Sequence, residues 1–185
     1  SALLRLMNPG GRNVYFLTGH GEFSIDGGGD NTFTQLVAEL ENKNYTIQSL
    51  NLMAEAQIPE DANVLVIAGP MQPLSEAEVE LIDAYLQNGG SMVELEEPRV
   101  MTDFGDKADP LANYLSENFG VTLEEDVVVD LDANDMLNQP FVAIAAKFGT
   151  HIITEKMGGL ATFFPTARSI TIADVSANVS QANLI

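Results

Sequence analysis

Two kinds of apolar spacing alternate along the chain. Residues 13–18 (NVYFLT), 45–50 (YTIQSL), 64–68 (VLVIA) and 91–95 (SMVEL) are short runs rich in β-branched and aromatic side chains. Such runs read as strands, and the unbroken ones as strands buried on both faces. Between them, TFTQLVAELENKN (32–44) places Phe33, Leu36, Val37 and Leu40 at helical spacing, with Asp30 or Asn31 as its cap. PLSEAEVELIDAYLQNGG (73–90) is a helix with both ends marked: Ser75 as cap, Glu78 at the capping-box position, Val79, Ile82 and Leu86 on one face, and Gly89 as the stop. Leu111, Tyr114 and Leu115 predict another helix over 108–118, and VVVD (127–130) a further strand.

Strands alternating with helices point to an α/β fold, a mostly parallel sheet with helices on both faces. Beyond residue 140 the pattern loosens, and FVAIAA (141–146), ATFF (161–164) and SITIAD (169–174) are expected as extra strands extending the edge of the same sheet, around a turn of helix near 152–157. The 185 residues fit one α/β domain, 1–185.

In an open parallel sheet, ligands sit beyond the carboxyl ends of the strands where strand order reverses. For a 2-1-3-4-5 order this brings the loop of Gly19, His20, Gly21 and Glu22 to face the loop of Gly69, Pro70, Met71 and Gln72. Flanking glycines let other groups approach the backbone closely, and His20 with Glu22 is the one neighbouring acid–base pair that contains a histidine. Glu94 interrupts an otherwise apolar strand read as central. It is expected either to meet a basic partner, with Arg99 nearest in sequence, or to accept loop amides at the carboxyl edge. The candidate ligand-binding residues are therefore Gly19, His20, Gly21, Glu22, Gly69, Pro70, Gln72 and Glu94.

Composition narrows the chemistry. Eight basic residues against 27 acidic ones leave a net charge of −19, which argues against nucleic acid as a partner. With no cysteine there is no disulfide, thiolate nucleophile or Cys-based metal site. IDGGGDNT (25–32) lacks the lysine of a phosphate-binding loop, and Asp130, Asp132, Asn134 and Asp135 miss the calcium-loop pattern, which needs Gly at Asp135 and Glu at Phe141. Asp103, Asp106 and Asp109 flank a helix start, where carboxylates are ordinary, and His151 reads as structural. Neither a catalytic residue, a metal nor a cofactor is assigned. The longest apolar runs are far below the roughly 20 residues needed to cross a bilayer, and SALLRLM (1–7) is helix-like but too short to anchor anything.

VYFLTGHGE (14–22), VLVIAGP (64–70), LSEAEVELIDAYLQNGG (74–90), HIIT (151–154) and FFPTARSI (163–170) together resemble the ABC-transporter auxiliary family that includes the gliding-motility-associated auxiliary subunit. The resemblance implies a flavodoxin-like, amidotransferase-like domain, a soluble portion on the extracytoplasmic face of the cell membrane with its tether outside this sequence. It also implies permease and ATPase subunits of the same system as partners, and carries over no catalytic residue. The turn that bears a cysteine nucleophile in amidotransferases reads LEEPRV (95–100) here, which closes that route and departs from the more apolar family pattern. The leading expectation is a non-catalytic interaction or scaffold domain. A small-ligand (sugar or peptide) domain using the crevice between the two loops is the alternative. A hydrolase with His20 or Glu22 as general base and the Gly69 to Gln72 amides as oxyanion donors is the third.

Overall fold

The computed structural model describes residues 12–27, 32–131, 138–174 and 178–185. Contacts divide the chain into two compact units, Ser1–Glu96 with Thr102–Leu111, and Glu97–Met101 with Ala112–Ile185.

The first unit holds β1 (Asn13–Leu17), α1 (Thr34–Asn42), β2 (Thr46–Leu50), the single turn α2 (Leu52–Glu55), β3 (Ala62–Ala68), α3 (Glu76–Gln87) and β4 (Ser91–Leu95). Its strands form one sheet in the order β2-β1-β3-β4, every pair parallel. With helices between the strands, this is the flavodoxin-like α/β arrangement expected from the apolar pattern. A parallel neighbour needs a crossover, and each crossover brings a helix to bury one face of the sheet.

Alternation then sorts the strand residues. Val14, Phe16, Val66 and Ala68 cluster on one face, where Phe23, Ile25 and Phe33 pack against them. Phe33 is the hub, its ring 5.9 Å from Phe16 and 5.5 Å from Phe23 in tilted geometry. Leu17, Leu65 and Ile67, the alternate positions, are buried as well, as are Val79 and Ile82 on α3. Phe33 also occupies the cap position of α1 without a side-chain hydrogen bond, while Asp30 and Asn31, expected as its cap, lie outside the described residues. By contrast α3 carries the full capping box, and Gly89 follows it at φ 88°.

The second unit departs from expectation. The strands after residue 140 do not extend the parallel sheet. β6 (Val142–Ala145) pairs antiparallel with β7 (Thr162–Pro165), and β5 (Val121–Leu123) pairs antiparallel with β8 (Ile170–Ile172). The expected strand at 127–130 is irregular, and the expected helix turn near 152–157 is a run of turns. Helix α4 (Pro110–Phe119) begins with proline, which tolerates the first helical position because the N–H it lacks would have no partner there. Ribbons this short bury few side chains, and Phe163, Phe164, Ile170 and Ile172 remain exposed.

Arg168 shows what the FPTARS segment does. Its Nε donates to Glu124 O at 2.7 Å and its Nη2 to Leu123 O at 3.1 Å, which staples the end of β5, while Thr166, at φ 51°, donates its hydroxyl to Glu97 at 3.3 Å. Ser169 is held by Asp126, whose carboxyl sits below its usual range because Ser169 donates to it. His151 likewise works locally: its Nδ1 accepts from Ile153 N at 3.3 Å, and the Thr154 hydroxyl donates to Gly149 O.

Gly69 ends β3 at φ 63°, and a Cβ there would stand 2.5 Å from the Phe23 ring. Gly69→Ala therefore combines left-handed strain with overpacking and should lose about 2–4 kcal/mol in urea unfolding. Gly89→Ala, at φ 88° in open space, should lose about 1–2 kcal/mol from strain alone; equal losses would mean the Phe23 contact carries no weight.

Candidate functional site

The carboxyl end of the sheet in the first unit gathers the residues singled out from sequence. Thr18 N donates to Leu50 O at 2.8 Å, so β1 runs straight into the turn at Gly19 and Gly21, both in the left-handed region at φ 120° and 85°. A side chain at Gly21 would meet Met71 Cβ at 2.9 Å. The reason for that closeness is direct: Met71 N and Gln72 N both donate to His20 O, at 2.8 and 3.0 Å. The two loops do face each other, as the strand order requires, but they are bonded backbone to backbone at His20.

Gln72 turns away to the 103–107 segment, where its Nε2 donates to Asp103 O at 3.3 Å and its Oε1 accepts from Lys107 at 2.5 Å. Pro70 is fully buried. At the opposite end of the sheet, a depression of about 530 Å³ opens between the segment Gln57 to Asn63 and the end of α3, with Tyr85 and Asn88 on its wall.

His20 is the centre of the arrangement, with 5% of its surface exposed. Its Nδ1 lies 3.1 Å from Glu22 Oε1, and its Nε2 lies 3.2 Å from Glu78 Oε2. The other Glu22 oxygen accepts from the His20 backbone N–H at 2.8 Å. A carboxylate on each ring nitrogen is satisfied on both sides only by the doubly protonated imidazolium. The hydrogen bond to Glu22 pushes the His20 pKa up; burial works against it, and the charge of Glu78 adds to the rise. For Glu22 burial is the largest influence and pushes its carboxyl up, but hydrogen bonds from His20 and the backbone outweigh burial and bring it below the usual range.

Glu78 and Ser75 were read from sequence only as a capping box. The box is present, yet Glu78 Oε2 accepts from Ser75 N at 2.9 Å, from Ser75 Oγ at 2.8 Å and from His20. A signal for this existed: the capping box fixes the Glu78 carboxylate at the start of α3, and the strand order brings that helix start beside the loop after β1. Glu78 Oε1 is buried and accepts no hydrogen bond.

Glu94 contradicts both arrangements expected for it. Neither of its oxygens, both out of contact with solvent, has a hydrogen-bond partner, and Arg99 reaches Glu125 of its own unit at 3.7 Å. β4 is also an edge strand of the four-stranded sheet, not a central one. Burial pushes the Glu94 carboxyl well above the usual carboxylate range, and the negative charges of Glu96, Asp109 and Glu22 push it further. Both influences favour its neutral form.

Among the described residues, no group of three His, Asp or Glu side chains is arranged to hold a metal ion, and no helix is long and apolar enough to cross a membrane. Asp130 accepts from Ile144 N at 3.0 Å, while Asp132, Asn134 and Asp135 of the acidic loop, like the 1–7 segment, lie outside the described residues.

Comparison with protein families matches residues 11–180 to the ABC-type uncharacterized transport system family. The chain belongs to that family. Among curated proteins no sequence matches it. Of solved structures, the chain named "mmIFT52 N-terminal domain" is similar at a TM-score of 0.63 and 20% identity, over 86% of this chain and 68% of that one. At that identity the likeness shows the fold alone. The family member described here therefore carries, within a shared fold, a buried carboxylate–imidazolium–carboxylate bridge and an isolated buried acid beside it.

His20→Leu leaves Glu22 and Glu78 buried without their shared cation and should cost about 3–5 kcal/mol in urea unfolding. The pH dependence follows from the shifts. Because the folded pKa of His20 is raised, its stabilisation is full below the unfolded value of 6.5 and is lost as pH rises through the folded value. Glu22, depressed, stabilises above 4.5 and loses that contribution as pH falls through its folded value. Glu94, raised, adds to the alkaline loss above 4.5. Stability in the wild type should therefore be greatest toward the acid end of the window from pH 4.5 to 6.5, where Glu22 and His20 both contribute fully and Glu94 costs least, and His20→Leu should make stability fall from lower pH, because Glu22 and Glu78 then lack their shared cation. Glu94→Met should gain about 1–3 kcal/mol at pH 8, where the wild type keeps an unpaired acid in a dry site; a loss there would show that the acid has a partner.

Proposed function

We propose that this chain is a non-catalytic interaction domain of an auxiliary protein in an ABC-type transport system, displayed on the extracytoplasmic face and associated with the permease and ATPase subunits. The observation that carries the reading is the family match along residues 11–180. A relation to gliding-motility systems belongs to the same proposal.

The site supports an interaction role over chemistry for a specific reason. A general base needs a free lone pair, and His20 presents none while each ring nitrogen holds a carboxylate at 3.1 to 3.2 Å. Glu22 spends both oxygens on His20. The Met71 and Gln72 amides, candidates for an oxyanion hole, are already donated to His20 O. A hydrolase using His20 and Glu22 would have to dismantle the contacts that hold these loops. The sugar or peptide crevice has the same difficulty at His20.

The test is co-purification from the native membrane under mild detergent, with an affinity tag on the full-length protein. Permease and ATPase subunits encoded beside it should be recovered in near-stoichiometric amount, and Glu39→Gln, on the exposed side of α1 and outside the loops around His20, should leave recovery unchanged. Recovery of the tagged protein free of transporter subunits, with hydrolytic activity lost in Glu22→Gln, would replace this reading with the enzymatic one.

A further inference from the structure

The buried acid at Glu94 points to a ligand chemistry that the transporter association does not specify. Its two oxygens are covered and accept no hydrogen bond. A side chain in that state is costly, because a lost hydrogen bond to a buried carboxyl is not recovered elsewhere. Its parallel neighbour on β3 is Ile67, fully buried, so an apolar residue at this position would continue the core at lower cost. The negative charges that act on Glu94 are those of Glu96 just after β4, Asp109 just before α4 and, offset by the His20 ring it holds, Glu22 from the loop after β1. The surroundings therefore favour positive charge at this point, and Glu94 has a pair of unused acceptor oxygens to meet it.

We infer that the carboxyl edge of the first unit binds a guanidinium group, taken bidentate by the two oxygens of Glu94 in the field of Glu22, Glu96 and Asp109. The fork of a guanidinium fits two unpartnered carboxylate oxygens as a point-charge ammonium does not. A metal ion is the poorer match, since no three acidic or histidine side chains among the described residues converge as ligands. Its oxygens are covered while the residue as a whole keeps part of its surface exposed, so binding requires the carboxyl to turn toward that exposed side. Binding favours the carboxylate form of Glu94, and any proton it still holds goes to solvent. The guanidinium can come from a small molecule or from an arginine side chain of a partner subunit.

Isothermal titration calorimetry with N-acetyl-arginine amide, run at pH 6.5 in two buffers of different ionisation enthalpy, tests this directly. The expected result is one site with net proton release, no binding of the neutral isostere N-acetyl-citrulline amide, and binding at least ten times weaker for Glu94→Gln. Glu39→Gln, an exposed charge on α1, should bind as the wild type does, which separates a site from general attraction to an acidic protein. An arginine-containing peptide from the permease that binds more tightly than the amide would identify the partner as the source, and equal affinity would identify a small molecule. Absence of binding to the wild-type protein, binding without proton release, equal affinity for Glu94→Gln in a protein with native circular dichroism, or tighter binding of calcium than of the amide would each overturn the inference. Since none of these readouts requires the transporter, failure here leaves the proposed association standing, and failure of co-purification leaves the site standing.

Discussion

Everything at the carboxyl end of the parallel sheet depends on one buried cation held between two anions. The His20 ring joins Glu22, two residues along its own loop, to Glu78, 58 residues away at the start of α3, and its carbonyl takes the amides of Met71 and Gln72 from the loop after β3. Without the ring's positive charge, two carboxylates with almost no solvent would face each other across an uncharged gap, and a buried ion left without its partner is among the larger single losses a domain can suffer. The start of α3 shares the load: the Ser75 amide and hydroxyl both donate to Glu78 Oε2. The same interactions explain the glycines, since only residues that tolerate positive φ can turn the chain tightly enough to put His20 inward with Met71 packed against Gly21.

The two units solve the problem of burying a backbone differently. In the first, crossover helices and long apolar strands bury Leu17, Leu65 and Ile67 almost completely. Coverage gives out at β4, where Val93 and Leu95 point to the face away from Glu94 and stay substantially exposed. In the second, short antiparallel ribbons leave much of their apolar surface in water, and order comes instead from side-chain to main-chain hydrogen bonds around Arg168, Thr166 and Asp126. This accounts for the segments by which the sequence resembles its family. GHGE encodes the bridge, FPTARS encodes the staple, and both are structural devices before they are anything else.

The parallel sheet was legible because buried strands announce themselves as apolar runs and α3 carries its own punctuation; Ser75, Glu78 and Gly89 stand where their chemistry requires. Loop pairing was legible too, because strand order alone brings Gly19 to Glu22 against Gly69 to Gln72. Less legible was that those loops bond to each other at His20, since that turns on hydrogen bonds of 2.8 to 3.0 Å between backbones 51 and 52 positions apart. The partner of His20 was hidden for a related reason: Glu78 already had an adequate local role. Glu94 departs from the rule that buried charges find partners, because burial and the neighbouring negative charges favour its neutral form. After residue 140 the apolar runs named strands correctly but not their pairing, because three- and four-residue strands carry too little pattern to choose between extending a sheet and forming a ribbon.

The chain has two histidines, and His20 can be observed alone once His151 is replaced. Nitrogen-15 NMR of the imidazole side chain at pH 7 measures the central claim most directly. The account predicts that both ring nitrogens of His20 are protonated at that pH, with both N–H protons protected from exchange, and that the ring titrates above the ordinary value of 6.5. A neutral ring at pH 7, with one nitrogen unprotonated and a titration below that value, would mean that no imidazolium bridges Glu22 and Glu78.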